Sequence, residues 1–139
     1  MIVLDTNVLS ETLRSVPDRR VIDWFRAQRR AALFTTTITR AEIAYGLRLL
    51  ADGARKQTLS SAIDAIFEED FAGRLLNFDT DAAHVYAEIA VSRRNAGRQI
   101  SQFDAMIAAV ARSRGATLAT RNVKDFVDCG IAVIDPWED

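Results

Sequence analysis

Residues 1–11 read MIVLDTNVLSE: a short apolar run from Ile2 to Leu4 meets an aspartate, and helix-compatible residues follow at once. An apolar run without alternation suits a strand covered on both faces, the kind found inside parallel sheets. It delivers Asp5 with no basic residue before it and none after it until Arg14. Two questions follow: what covers the strand, and what offsets the charge.

Outward from this stretch the pattern repeats. A helix is expected from about Asn7 to Arg14, then a turn at Pro17-Asp18, and a helix in RRVIDWFRAQRRA (19–31) whose stripe is Val21, Ile22, Trp24 and Phe25. LFTTT (33–37) suits a second strand, rich in residues that fit a pleated surface. TRAEIAYGLRLL (39–50) reads as a helix with Ile43, Leu47 and Leu50 on one face, and a second amphipathic stretch carries Leu59, Ile63, Ile66 and Phe67. RLLNF (74–78), ATLAT (116–120) and IAVID (131–135) are three more strands. Between them lie a helix from Thr80 to Asn95, closed by Gly97, and another from Ser101 to just before Gly115.

Strands separated by helices predict an α/β fold, a three-layer α/β/α sandwich with a mostly parallel central sheet. Right-handed crossovers place every carboxyl end on one edge, where such sheets bind ligands. At 139 residues without repeats or linkers, the chain is expected to form one domain, 1–139.

Composition narrows the function. Apolar residues make up 49% and charged residues 27%, an ordinary globular balance. No basic n-region with an apolar h-region opens the chain and no run could cross a bilayer, so a cytoplasmic protein without membrane contact is expected. Cys129 and His84 are the only cysteine and histidine, which excludes a disulfide or Cys-rich zinc site and argues against a His-based one. The net charge is −1, yet of 18 basic residues only Lys56 and Lys124 are lysines. The arginines suit bidentate phosphate contact, and GC-rich codon usage accounts for them equally well.

Four acids fall at the expected ligand edge. Asp5 follows the first strand, Glu42 and Asp104 sit in the first turn of helices, and Asp125 lies beyond the fourth strand. Each has a plainer reading: TRAE and SQFD both fit a capping box, and Asp5 or Asp125 could cap a turn. Capping stabilises an anion by about 0.3–1 kcal/mol, whereas two carboxylates 4 Å apart repel by about 4 kcal/mol at a dielectric near 20. A divalent cation offsets that repulsion. Hard oxygens without His or Cys suit Mg²⁺ or Mn²⁺ and metal-dependent cleavage of a phosphate ester. The glycine motifs of nucleotide sites and the serine elbow of hydrolases are absent.

LDTNVLSE (4–11), TRAEIAYGL (39–47), FDAMIAAVA (103–111) and TRNVKDF (120–126) together resemble the four motifs of PIN-domain ribonucleases, most closely the VapC toxins of type II toxin–antitoxin modules and their FitB-like group. The resemblance implies a Mg²⁺-dependent endoribonuclease toxin, with Mn²⁺ as a substitute, that leaves a 5′-phosphate and a 3′-hydroxyl. It implies an RNA substrate, a small VapB- or FitA-like antitoxin whose tail crosses the active-site groove, a homodimer, and operator DNA reached only through the antitoxin. Carried over by position, Asp5, Asp104 and Glu42 match the metal-holding acids and Asp125 the fourth catalytic acid. Asn122 stands where relatives place an aspartate. Thr6, Asn7, Thr120 and Asn122 match polar positions that orient carboxylates or bind phosphate. Arg93, Arg94, Arg98, Arg112 and Arg114 are candidates for the RNA rim.

Three rivals share parts of this pattern. A haloacid-dehalogenase-like phosphatase would want a second aspartate where Asn7 stands. A phospho-accepting receiver domain would want paired acids after the first strand and a lysine near the last. A weakly or non-catalytic relative would act mainly with a DNA-binding antitoxin.

Overall fold

The computed structural model describes residues 1–139. β1 (Ile2–Leu4) lies at the centre of a five-stranded sheet, paired with β2 (Leu33–Thr36) on one side and β4 (Thr117–Ala119) on the other. β3 (Leu75–Leu76) and β5 (Val133–Ile134) form the edges, giving the order β3-β2-β1-β4-β5 with every pairing parallel. Val3 pairs with Phe34 and Leu118, and Leu4 with Ala119.

Successive strand residues point to opposite faces, and both faces are covered. Val3 and Leu118 pack with α5 (Thr80–Asn95) and α6 (Gln102–Ser113) through Ala82, Ile89, Ile107 and Val110. Leu4 and Ala119 pack with α1 (Thr6–Thr12), α2 (Arg19–Ala27) and α4 (Ala54–Ala65) through Val8, Leu9, Val21, Trp24 and Ile63. α3 (Thr37–Arg48) contributes Ile38 to one layer and Ile43 to the other. The buried, unalternating strand expected at residues 2–4 is the centre of an α/β/α sandwich.

Element boundaries differ from expectation at the ends. α1 begins at Thr6 because Asp5 caps it, accepting the Thr6 N–H. β2 stops at Thr36, whose hydroxyl accepts the Thr39 N–H, and Thr37 opens α3. The edge strands have two residues each where five were expected, since an edge strand pairs on one side only. α5 ends as expected, with Gly97 at φ 73° after Ala96, a left-handed conformation that glycine takes without strain.

Chain order sets the ligand edge. The chain moves from β1 outward to β2 and β3, then crosses to β4 and β5 on the other side of β1. That reversal lies between β1 and β4, whose carboxyl ends deliver Asp5 and Thr120, with Thr36 at the end of the neighbouring β2.

Candidate metal centre

Asp5 is 4% exposed, and its bonding partners are hydroxyls and amides, without a basic side chain. Oδ1 accepts the Thr6 N–H at 2.8 Å. Oδ2 accepts the Thr120 hydroxyl at 2.7 Å and the Asn7 Nδ2–H at 3.3 Å. A carboxylate offers about four lone-pair directions. Three are occupied, leaving one free on Oδ1.

The donors are themselves fixed. Thr120 gives its proton to Asp5 and accepts from Asn7 Nδ2 at 3.3 Å and from the Asn122 N–H at 3.1 Å, so its oxygen is saturated. Asn7 Oδ1 accepts the Arg121 N–H at 3.2 Å, which sets which end of the amide faces Asp5. With both ends engaged, Asn7 orients a carboxylate. The phosphatase alternative has no acid at this position.

Burial pushes the Asp5 carboxyl from its ordinary 3.8 up to about 6. The Thr120 and Thr6 bonds pull it down, while the charges of Asp104 and Glu42 push it further up. Those two acids therefore lie within electrostatic reach from different helices. Glu42 is reached through Thr6, whose hydroxyl donates to Oε1 at 2.8 Å. With that proton committed, the contact of Thr6 Oγ1 with Thr39 Oγ1 at 3.1 Å requires Thr39 to donate. Thr39 was expected to open the helix as its cap. It is instead a buried hydroxyl inside α3, and Glu42 lies in the second turn rather than the first because Thr36 is the true cap. The capping reading of Glu42 is thereby overturned.

Asp104 is the third residue of α6, and its N–H donates to the capping Ser101 hydroxyl at 3.2 Å. Partial burial raises its carboxyl above the ordinary range, the Ser101 hydroxyl opposes this, Asp125 adds repulsion and the Arg93 charge offsets part of it. Asp125 sits half-buried in a 3₁₀ turn, Val123–Phe126, while Asn122 is exposed and contributes its backbone N–H to Thr120. The Asp125 charge thus lies within reach of the Asp104 carboxyl.

No three carboxylate, imidazole or thiolate groups converge at ligand spacing. A magnesium-sized ion does not need three: it takes one or two protein carboxylates and keeps several waters or substrate oxygens. A buried carboxylate with a free lone pair, flanked by others and lacking a cationic partner, fits such an ion. Beside Thr6 and Glu42 opens a groove of about 880 Å³ between α1, α3 and α4, with Ile43, Leu47 and Leu59 among its apolar residues and Arg14 and Arg55 among its basic ones.

The expected arginine rim is mostly committed elsewhere. Arg98 pairs with Asp128, Arg112 with Glu88 and Arg114 with Asp79, leaving Arg94 exposed without an ion pair. Arg93 is buried, not on the rim. The spacing of Ala82, Tyr86, Ile89 and Arg93 at three- and four-residue steps was the legible sign that position 93 lies on the inward stripe.

Residues 2–129 match the family described as PIN domain. The plasmid stability protein StbB of Pseudomonas syringae pv. tomato is 41% identical over 99% of both chains. The VapC ribonuclease Y4jK of Sinorhizobium fredii is 38% identical over 99% of both. The toxin FitB of Neisseria gonorrhoeae is 38% identical over the whole of both. Among solved structures, that of FitAB bound to an IR36 DNA fragment superposes with a TM-score of 0.94 at 37% identity, covering 100% of this chain and 97% of the other.

Proposed function

The chain belongs to the PIN-domain family, and from that premise we propose that it is the endoribonuclease toxin of a type II toxin–antitoxin module. It hydrolyses RNA phosphodiester bonds with a divalent cation, Mg²⁺ with Mn²⁺ as substitute, and a small VapB- or FitA-like antitoxin neutralises it. Operator DNA is reached through that antitoxin, as the DNA-bound FitAB and VapBC structures support. A cytoplasmic location and a homodimer belong to the same proposal; no helix is long and apolar enough to cross a membrane. The observation that carries the reading is Asp5: a buried carboxylate at the sheet's switch point, bonded only by neutral donors and within reach of the charges of Glu42 and Asp104.

The residues divide the work. Asp5 and Asp104 would hold the cation, Glu42 would reach it through a bound water, and Asp125 would support Asp104. When bound, the cation neutralises charge on the scissile phosphate and lowers the proton affinity of the attacking water. Thr120 and Asn7 fix Asp5 so that its free lone pair keeps one direction, and Thr39 and Thr6 fix Glu42. Such donors orient carboxylates without reorganising during reaction. The water oxygen bonds to phosphorus as the bond to the 3′-oxygen breaks, and that oxygen leaves with a proton.

The direct test compares purified wild type with the Asp5→Asn, Asp104→Asn double variant, free of antitoxin, on total RNA with Mg²⁺ or EDTA. Wild type should cleave only with metal. Cleavage insensitive to chelation would remove the metal from the mechanism, and cleavage by the folded double variant would remove these residues from it.

A further inference from the structure

Arg93 is 5% exposed on the inward stripe of α5 and forms no ion pair, although its charge reaches the Asp104 carboxyl and holds it down. Burying a guanidinium without a salt-bridge partner is costly unless its protons are satisfied, and here backbone carbonyls accept three of the five. Nε donates to the Arg98 carbonyl at 2.7 Å. Nη1 donates to the carbonyls of Asp125 at 2.8 Å and Val127 at 2.9 Å, and lies 3.6 Å from Cys129 Sγ. These acceptors belong to two loops. One leads into Ser101 and Asp104; the other carries Asp125.

Taking the metal-dependent nuclease reading as its basis, we infer that Arg93 is a positioning residue of that site, whose buried fork clamps the loop before Asp104 to the loop of Asp125 and so sets the spacing of the two carboxylates. The side chain suits the task. A planar guanidinium presents five N–H groups in a fixed fork, so one residue reaches carbonyls on both loops, whereas a lysine offers one flexible point of charge. The surface pair Arg98–Asp128 joins the same two loops, but exposed pairs contribute little. The inner clamp therefore carries the geometry.

The test uses wild type, Arg93→Lys, Asp125→Asn and their double variant, with Arg93→Gln in reserve should the lysine variant fail to fold and Arg98→Ala as the surface control. Hydrogen–deuterium exchange is followed on the metal-free proteins, Mn²⁺ affinity by electron paramagnetic resonance, and Mg²⁺-dependent RNA cleavage by initial rates. Arg93→Lys should melt cooperatively yet exchange faster across residues 96–101 and 122–129, and bind Mn²⁺ about tenfold more weakly. In the Asp125→Asn background the same change should cost nothing further in affinity or rate. Unchanged exchange in both loops, or an equal fold-loss in both backgrounds, would overturn the assignment. Wild type that bound no Mn²⁺ would instead sink the nuclease reading, and the exchange comparison would still decide whether Arg93 sets these loops.

Discussion

Thr120 donates its hydroxyl proton to Oδ2 of Asp5 at 2.7 Å, joining residues 115 positions apart. The bond crosses from the end of β4 to the end of β1, adjacent strands at the point where chain order reverses. It leaves the carboxylate oriented but not neutralised.

Thr120→Val should therefore destabilise the protein in a pH-dependent way. A hydrogen bond to a charged group contributes about 1.5–3 kcal/mol, so the variant should lose roughly that much at pH 8. The loss should shrink at pH 4, where Asp5 is protonated in the fold. Thr120→Ser should recover most of it. Urea unfolding at both pH values is the measurement, and equal losses would show that the hydroxyl does not serve the carboxylate.

Metal-free protein should lose stability as pH rises from about 4 through 6. The folded Asp5 carboxyl titrates at about 6 against an ordinary 3.8. The native state thus binds more protons than the unfolded one in that window, and Asp5's contribution, fully present below the unfolded value, is lost as pH rises through the folded value. A shift of about two units corresponds to about 3 kcal/mol at most. Asp5→Asn should flatten this part of the profile. Saturating Mg²⁺ should restore stability in wild type above pH 7, by about 2.7 kcal/mol at a hundred times its Kd, and leave Asp5→Asn unmoved.

Thr6→Val should uncouple Glu42 from its donor and leave Thr39 without its acceptor. Loss of an orienting contact of this kind typically reduces metal affinity or activity about 10–100-fold. Thr6→Ser should retain both, because only the hydroxyl is used. Mg²⁺ titration of cleavage rate reads the effect, and a Val variant with wild-type metal dependence would detach Glu42 from the cation.

Positions 122 and 125 should separate cleanly. Asp125→Asn should slow cleavage at least tenfold, about 1.4 kcal/mol in the barrier, because its charge lies within reach of Asp104. Asn122→Ala should change the rate by no more than about threefold, since its backbone N–H is what bonds Thr120. A larger loss at 122 than at 125 would reverse the assignment.

How far the sequence could be read follows from the range of the forces involved. Val3 and Leu4 announced a strand covered on both faces because an apolar run without alternation has no solvent side to offer. Ser101 and Asp104 announced a helix start three residues apart, which one turn of backbone decides. Glu42 was legible as an acid but misplaced in its helix, because Thr36, Thr37 and Thr39 all suit a cap and the end of β2 chose Thr36. Arg93 read as a rim cation among many arginines, although its place on the α5 stripe pointed inward.

The sequence by itself determined the alternation of strands and helices, the burial of an apolar β1 on both faces, and the delivery of acids to strand and helix ends. Those depend on periodicity and on contacts within a few residues. Tertiary structure alone decided which hydroxyls meet which carboxylates: Thr120 with Asp5, Thr6 with Glu42, and Arg93 with the loops of Asp104 and Asp125. Such pairings form only after the sheet has closed the long loops between them, and a bond of about 3 Å discriminates positions that residue type leaves equivalent.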